Sequence, residues 1–280
     1  MEPLVAPLGH LPAPHPRSGE ETVPLLAGPA AVARRLPELG PVTVALRHGE
    51  LRHAVTTPLH EAVPGPKGVC LRGDGCEVHL DPRRWGAVAA VARHDGLARQ
   101  EWLHFRGETP GTGLDVALTP ASSRQALAEL IAGGGAGAES ADGVGPVERA
   151  GLGGQSLGPV ELPLVRELLE TVADAALPLR LEAAVPGARQ AFTGVLANPV
   201  AGDGLHLHGA GFRAEVPLAR VAAARLTLRR LPEGRVHAVD LVDDSRRCFL
   251  RLAGQRLPGR PEDRAWRTLL GALPAAEAAG

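Results

Sequence analysis

GDGCEVHLDPRRWGAVAAV at residues 73–91 lies over GAGFRAEVPLARVAAARLT at residues 209–227 at one offset of 136 residues, with Gly73/Gly209, Gly75/Gly211, Arg84/Arg220 and Ala87/Ala223 coinciding. Each stretch reads as a glycine turn, a short strand, a break and a second strand rich in small residues. At the same offset WLHF (102–105) falls over AVDL (238–241). A pattern that returns at a fixed distance predicts an internal duplication.

Working outward, VTVAL (42–46), LRHAVT (51–56), CEVHL (76–80) and WLHF read as strands in the first segment. LRLEA (179–183), RQAFTGV (189–195), LHLH (205–208), RAEV (213–216), ARLTL (224–228), RVHAVDLV (235–242) and RCFLRL (247–252) do so in the second. Opening helices are expected over 29–36 and 163–175, where proline occupies the first turn, and closing helices over 122–132 and 261–273. Short strands joined by tight turns favour antiparallel pairing. The predicted fold class is α+β: two tandem similar halves, each an antiparallel sheet bracketed by helices, forming a pseudo-dimer. Residues 133–158 carry a heavy glycine load without apolar periodicity and read as a linker. The expected division is a loose leader (1–22), a first half (23–132), the linker, a second half (159–274) and a tail (275–280).

The 280 residues, 44% hydrophobic and 22% charged, supply a large core, and no apolar run reaches the roughly 20 residues a membrane helix needs. A net charge of −1 argues against coating nucleic acid, which requires a cationic excess. Lys67 is the only lysine among 30 basic residues, tyrosine is absent and Met1 is the only methionine, so neither a phenolate nor an internal thioether is available to a metal. Cys70, Cys76 and Cys248 form an odd set without zinc spacing, which fits a reducing cytoplasm. The leader has no basic start followed by an apolar stretch, so no secretory signal is read there.

Three groups of residues carry chemistry. His206 and His208, two apart on a strand, share a face and are a candidate metal pair, against the plainer reading of a solvated strand face. Cys70 and Cys76 flank the turn LRGDG and either face each other across a hairpin or are two small core residues. His53, on a strand after the His48-Gly49 turn, has Arg47 and Arg52 beside it, a set suited to an iron-centred, anionic, flat ligand such as haem. The glycine-rich stretch lacks a phosphate-loop pattern, and no nucleophile elbow is present, so neither nucleotide nor acyl-transfer chemistry has an anchor.

The ordered set of motifs resembles the bacterial haemin-degrading and haem-transport factors, the HemS/ChuX-like family. AVARRLPELGPVTVALRHGELRHAVT resembles the family's short helix, Leu-Pro-x-Leu-Gly, strand and turn leading to a histidine, and DGCEVHLDPRRWGAVAAV resembles its acidic, apolar stretch ending at a tryptophan. PLRLEAAVPGARQAFTGVL, GRVHAVDLVDDSRR and GQRLPGRPEDRAWRTLLGAL resemble segments of its second half, so the likeness covers most of residues 23–274. It implies a cytoplasmic protein that binds haem after import and either passes it on or opens the ring with external electrons. Its partners would then be haem, an electron donor or a haem-import protein, with no nucleic acid and no membrane span.

Mapped onto this sequence, His53 matches the family's first-half histidine and Gln190 its second-half glutamine. Arg47, Arg52 and Arg99 are candidate partners of the propionates. The second-half histidine is Phe192 here, a His-Lys pair falls at Leu114-Asp115, and no histidine lies between Arg106 and Leu205, where the family places a ligand. The leading expectation is therefore a haem-binding or trafficking protein. Two others stand beside it: an interaction protein that kept the fold and lost haem, and a small metal-binding module built on His206 and His208.

Overall fold

The structure is a computed structural model that describes residues 20–66, 68–95, 98–133, 152, 154–201, 204–231, 234–255 and 260–273. It is α+β, dominated by antiparallel strands, and divides into two compact units. The first comprises residues 1–49, 54–148 and 186–188, and the second residues 50–53, 149–185 and 189–280.

The first unit contains β1 (Glu20–Pro24), α1 (Pro29–Arg35), β2 (Pro41–His48), most of β3 (Leu51–Gly65), β4 (Gly68–Gly73), β5 (Cys76–Leu80), β6 (Trp85–Asp95), β7 (Ala98–Gly107), β8 (Thr112–Leu118) and α2 (Arg124–Ala132). Its strands run β1-β6-β7-β8-β2-β3, with β4 paired to β3 and β5. Because side chains alternate along a strand, register assigns each residue to a face. Leu46, Leu114 and Phe105 stand in one row and Val44, Val116 and Leu103 in the next, all essentially fully buried. Arg124 at the start of α2 pairs with Glu101 on this same face of β7, so α2 covers it. Pro29 begins α1 where a missing amide costs nothing, and the Ser123 hydroxyl accepts from the Ala126 amide to cap α2.

The second unit contains β9 (Gln155–Val160), α3 (Leu162–Asp174), β10 (Pro178–Val185), β11 (Ala188–Ala201), β12 (Gly204–Gly209), β13 (Phe212–Pro217), β14 (Ala223–Leu231), β15 (Gly234–Val242), β16 (Cys248–Gly254) and α4 (Arg264–Gly271). Strand order is β13-β12-β11-β10-β16-β15-β14-β9. Leu181, Leu252 and Val239 form one fully buried row. On the same face of β16, α4 sets Trp266 over Gly254, where a Cβ would come within 2.6 Å of the indole. The indole Nε1 donates to the His237 carbonyl at 3.0 Å, and Asp263 caps α4 by accepting from Ala265 and Trp266 amides.

The structure departs from the sequence reading at the edges. Glu20–Pro24, partly inside the predicted leader, pairs with β6, and Gln155–Val160, read as the end of the linker, pairs with β14. Both are edge strands with mostly exposed side chains, so backbone pairing holds them and no apolar alternation announces them. Residues 1–19, the linker residues 134–151, residue 274 and the tail 275–280 lie outside the described residues. Cys70 stands opposite His79 and Cys76 opposite Gly73 in the β4–β5 hairpin, so the two cysteines do not face each other. All three cysteines are free, and among the described residues no helix is long and apolar enough to cross a membrane.

On the far face of the second sheet, Glu182, Arg251 and Asp240 stand side by side on β10, β16 and β15. Arg251 grips Asp240 with two hydrogen bonds of 2.6 Å and donates to the Leu152 carbonyl at 3.1 Å, with both side chains at most 5% exposed. Removing one member of a buried pair strands the other charge away from water. Arg251→Ala is expected to lower unfolding free energy by about 3–5 kcal/mol in urea titration. A loss below about 1 kcal/mol would show that solvent reaches Asp240.

Candidate functional site

His53 lies in the second unit with no exposed surface. Its ring meets Phe212 edge-on at 5.1 Å, and Phe212 in turn stacks on Phe192 at 4.2 Å with planes 8° apart. Gly194 makes room for this cluster, because a Cβ there would fall 2.4 Å from the Phe192 ring. Neither His53 nitrogen makes a well-formed hydrogen bond among the described residues. Burial drives its pKa down to about 4, partly opposed by the side chain of Gln190, which is also fully buried. The imidazole is therefore neutral at physiological pH and presents no surface to a ligand in this conformation.

The remaining expected residues are placed as follows. Gln190 and Arg52 belong to the same unit as His53. Arg52 is half-buried on β3 and approaches Glu215 at 3.7 Å, while Arg213 binds the other oxygen of Glu215 at 2.6 Å. Arg47 and Arg99 belong to the first unit. Arg99 is exposed and pairs with Glu101 at 3.1 Å. His206 and His208 lie on one half-exposed face of β12, opposite Glu215 and Arg213, between buried Leu205 and Leu207. Burial and the nearby Arg213 lower the pKa of His208. Among the described residues no group of three or more metal-binding side chains forms around this pair.

Arg47 leads to a group that the sequence reading passed over. Its Nε donates to Asp115 Oδ2 at 2.7 Å, and the other carboxylate oxygen, Oδ1, lies 2.7 Å from His104 Nδ1. Asp115 is 1% exposed and His104 29% exposed on its side chain. The register explains the meeting: His104 on β7 stands opposite Asp115 on β8, and Arg47 on β2 stands opposite Gly113, two residues before Asp115. A Cβ on Gly113 would come within 3.2 Å of both Arg47 Nη2 and His104 Cε1, so the glycine leaves the space into which both side chains lean. Arg106, exposed on β7, also stands opposite Gly113. A strand is expected after the turn that follows WLHF, but which of its residues meets His104 depends on the β7–β8 register, which the sequence alone does not fix.

The architecture is shared with proteins of known structure. The holo form of PhuS, a haem-binding protein from Pseudomonas aeruginosa, superposes with TM-score 0.76 at 19% identity, covering 91% of this chain and 87% of PhuS. ChuS, an Escherichia coli haem oxygenase, superposes with TM-score 0.75 at 16% identity, covering 90% of this chain and 88% of ChuS. No protein-family model matches the sequence, and no curated protein matches it. At these identities the likeness establishes the fold.

The depressed pKa of His53 makes stability depend on pH. The unfolded imidazole, near 6.5, takes up a proton that the folded one refuses until about pH 4, so stability falls as pH drops through that window. Between pH 7 and 4 the wild type is expected to lose about 3 kcal/mol more than His53→Leu. Urea unfolding of the two proteins at several pH values measures the difference. Parallel curves would show that His53 is solvated in the folded state.

Proposed function

We propose that this protein binds haem and carries or hands on the macrocycle, and that it is built as two tandem similar halves. The observation that supports haem most is the fold, shared over nine-tenths of the chain with a haem-binding protein and a haem oxygenase. The donor set agrees in kind. Haem offers iron that takes an imidazole nitrogen and two carboxylates that take guanidinium groups, and the described residues include half-exposed histidines and arginines on the same strand faces. Carriage is favoured over ring opening because the stretch between Arg106 and Leu205 holds no histidine to serve as the family's joining-region ligand.

What supports the tandem reading is the repetition of element bounds at the offset seen in the sequence. β4 at Gly68–Gly73 corresponds to β12 at Gly204–Gly209, and β8 at Thr112–Leu118 to β16 at Cys248–Gly254. The short 3-10 turns at Pro82–Arg84 and Leu218–Arg220 agree as well. A cytoplasmic location is part of the proposal, supported by three cysteines that form no disulfide.

A second reading, an interaction protein that kept this fold without haem, is favoured by the complete burial of His53 behind Phe212 and Phe192. Titration of the full chain with hemin separates the two. A saturable Soret band at one equivalent is the expected result, stable when a reductant is added under air. A flat titration would overturn the haem proposal in favour of the second reading, and bleaching with iron release would replace carriage by degradation.

A further inference from the structure

The histidine expected from the sequence has no exposed surface, so the protein's other imidazoles must be weighed by geometry. A metal-binding histidine typically donates its second ring nitrogen to a carboxylate, which fixes the ring and leaves the first nitrogen free. Among the described residues two histidines have this arrangement with a buried carboxylate: His104 with Asp115, and His237 with Glu262 at 2.8 Å. They differ in their surroundings. Glu262 also accepts from the His237 backbone amide, and Trp266 donates to the His237 carbonyl, so His237 is tied into the anchoring of the segment that leads into α4. No arginine contacts Glu262 among the described residues, and its charge falls on His237 alone.

At His104 the carboxylate has a second partner. Arg47 holds one oxygen of Asp115 and His104 Nδ1 meets the other, so Nε2 is the ring nitrogen left for a metal. Nε2 makes no hydrogen bond among the described residues. The ring lies on the face of β7 away from α2, since Leu103 and Phe105 occupy the helix-covered side. Across the strands Ala89 stands opposite on β6 and Asp115 on β8, buried Trp102 precedes His104 by two residues on the same face of β7, and the space over Gly113 is taken by the His104 and Arg47 side chains. One row away, Arg47 and Arg106 flank Gly113 from the two neighbouring strands. An imidazole with its ring locked and 29% of its side chain exposed, with the exposed Arg106 one row away, matches an iron-centred ligand with carboxylates on one edge.

We infer that His104 is the axial ligand through which the protein holds haem iron, with Asp115 as its positioning residue, Arg47 holding Asp115 in place and Arg106 facing the propionates. This rests on the proposal that the chain binds haem. His53 is then a core residue of the second unit, and the ligand comes from the first.

The test compares hemin complexes of the full-length wild type, His104→Ala, His237→Ala and Asp115→Asn, with circular dichroism melts to verify folding. In His104→Ala the Soret maximum is expected to shift, hemin loss to an apo-globin scavenger to accelerate at least about tenfold, and added imidazole to restore the wild-type spectrum. His237→Ala is expected to leave spectrum and loss rate unchanged. Asp115→Asn, which weakens the negative pull on Nδ1, is expected to keep an iron-imidazole spectrum while raising the midpoint potential of the bound iron. A wild type that takes up hemin with a spectrum unaltered in His104→Ala overturns this assignment and leaves the haem proposal standing. A wild type that takes up no hemin overturns both.

Discussion

A carboxylate buried on a β-strand has no water to solvate it, and its partner has to come from the neighbouring strand at the matching register. Both units are organised around that demand. In the first, Asp115 is held between Arg47 and His104; in the second, Asp240 is gripped by Arg251, with Glu182 next in the row. In each case the pair lies on the sheet face opposite the apolar rows packed against a helix. The consequence for function is orientation: an imidazole hydrogen-bonded to a fixed, nearly fully buried carboxylate is a rigid group on a rigid sheet.

In the tandem reading these two clusters occupy corresponding positions with their signs exchanged. Residues 104 and 115 are histidine and aspartate, whereas the positions 136 later, 240 and 251, are aspartate and arginine. A buried pair constrains the sum of the charges more tightly than which strand carries which sign. Conversely, the glycine turns repeat as glycine, at Gly75 and Gly211, because both residues sit at positive φ. In that reading, few identities in sequence and many shared element boundaries are what the two halves would show.

Central strands were legible because they alternate or run continuously apolar, as CEVHL does; the structure bounds β5 at the same residues, Cys76–Leu80. Helices with a proline in the first turn were legible for a similar local reason. The edge strands β1 and β9 were not, because their side chains are mostly solvated and their only strong interaction is a backbone ladder to a residue far along the chain. The candidate site followed the same logic. His53 stood out by its place after a turn beside two arginines, yet the strand alternation that makes LRHAVT recognisable also turns every second side chain inward, and His53 is one of those. His104 was hidden because its meaning depends on Asp115, eleven residues away on the next strand, and on the register that sets the two side by side.

Haem held as proposed requires an iron-imidazole bond formed by the half-exposed His104. Resonance Raman spectroscopy of the ferrous hemin complex, prepared from protein with ordinary and 15N-labelled histidine, tests it most directly. An iron-nitrogen stretching mode that moves to lower frequency on labelling is the predicted result. A bound haem with no isotope-sensitive mode would contradict it.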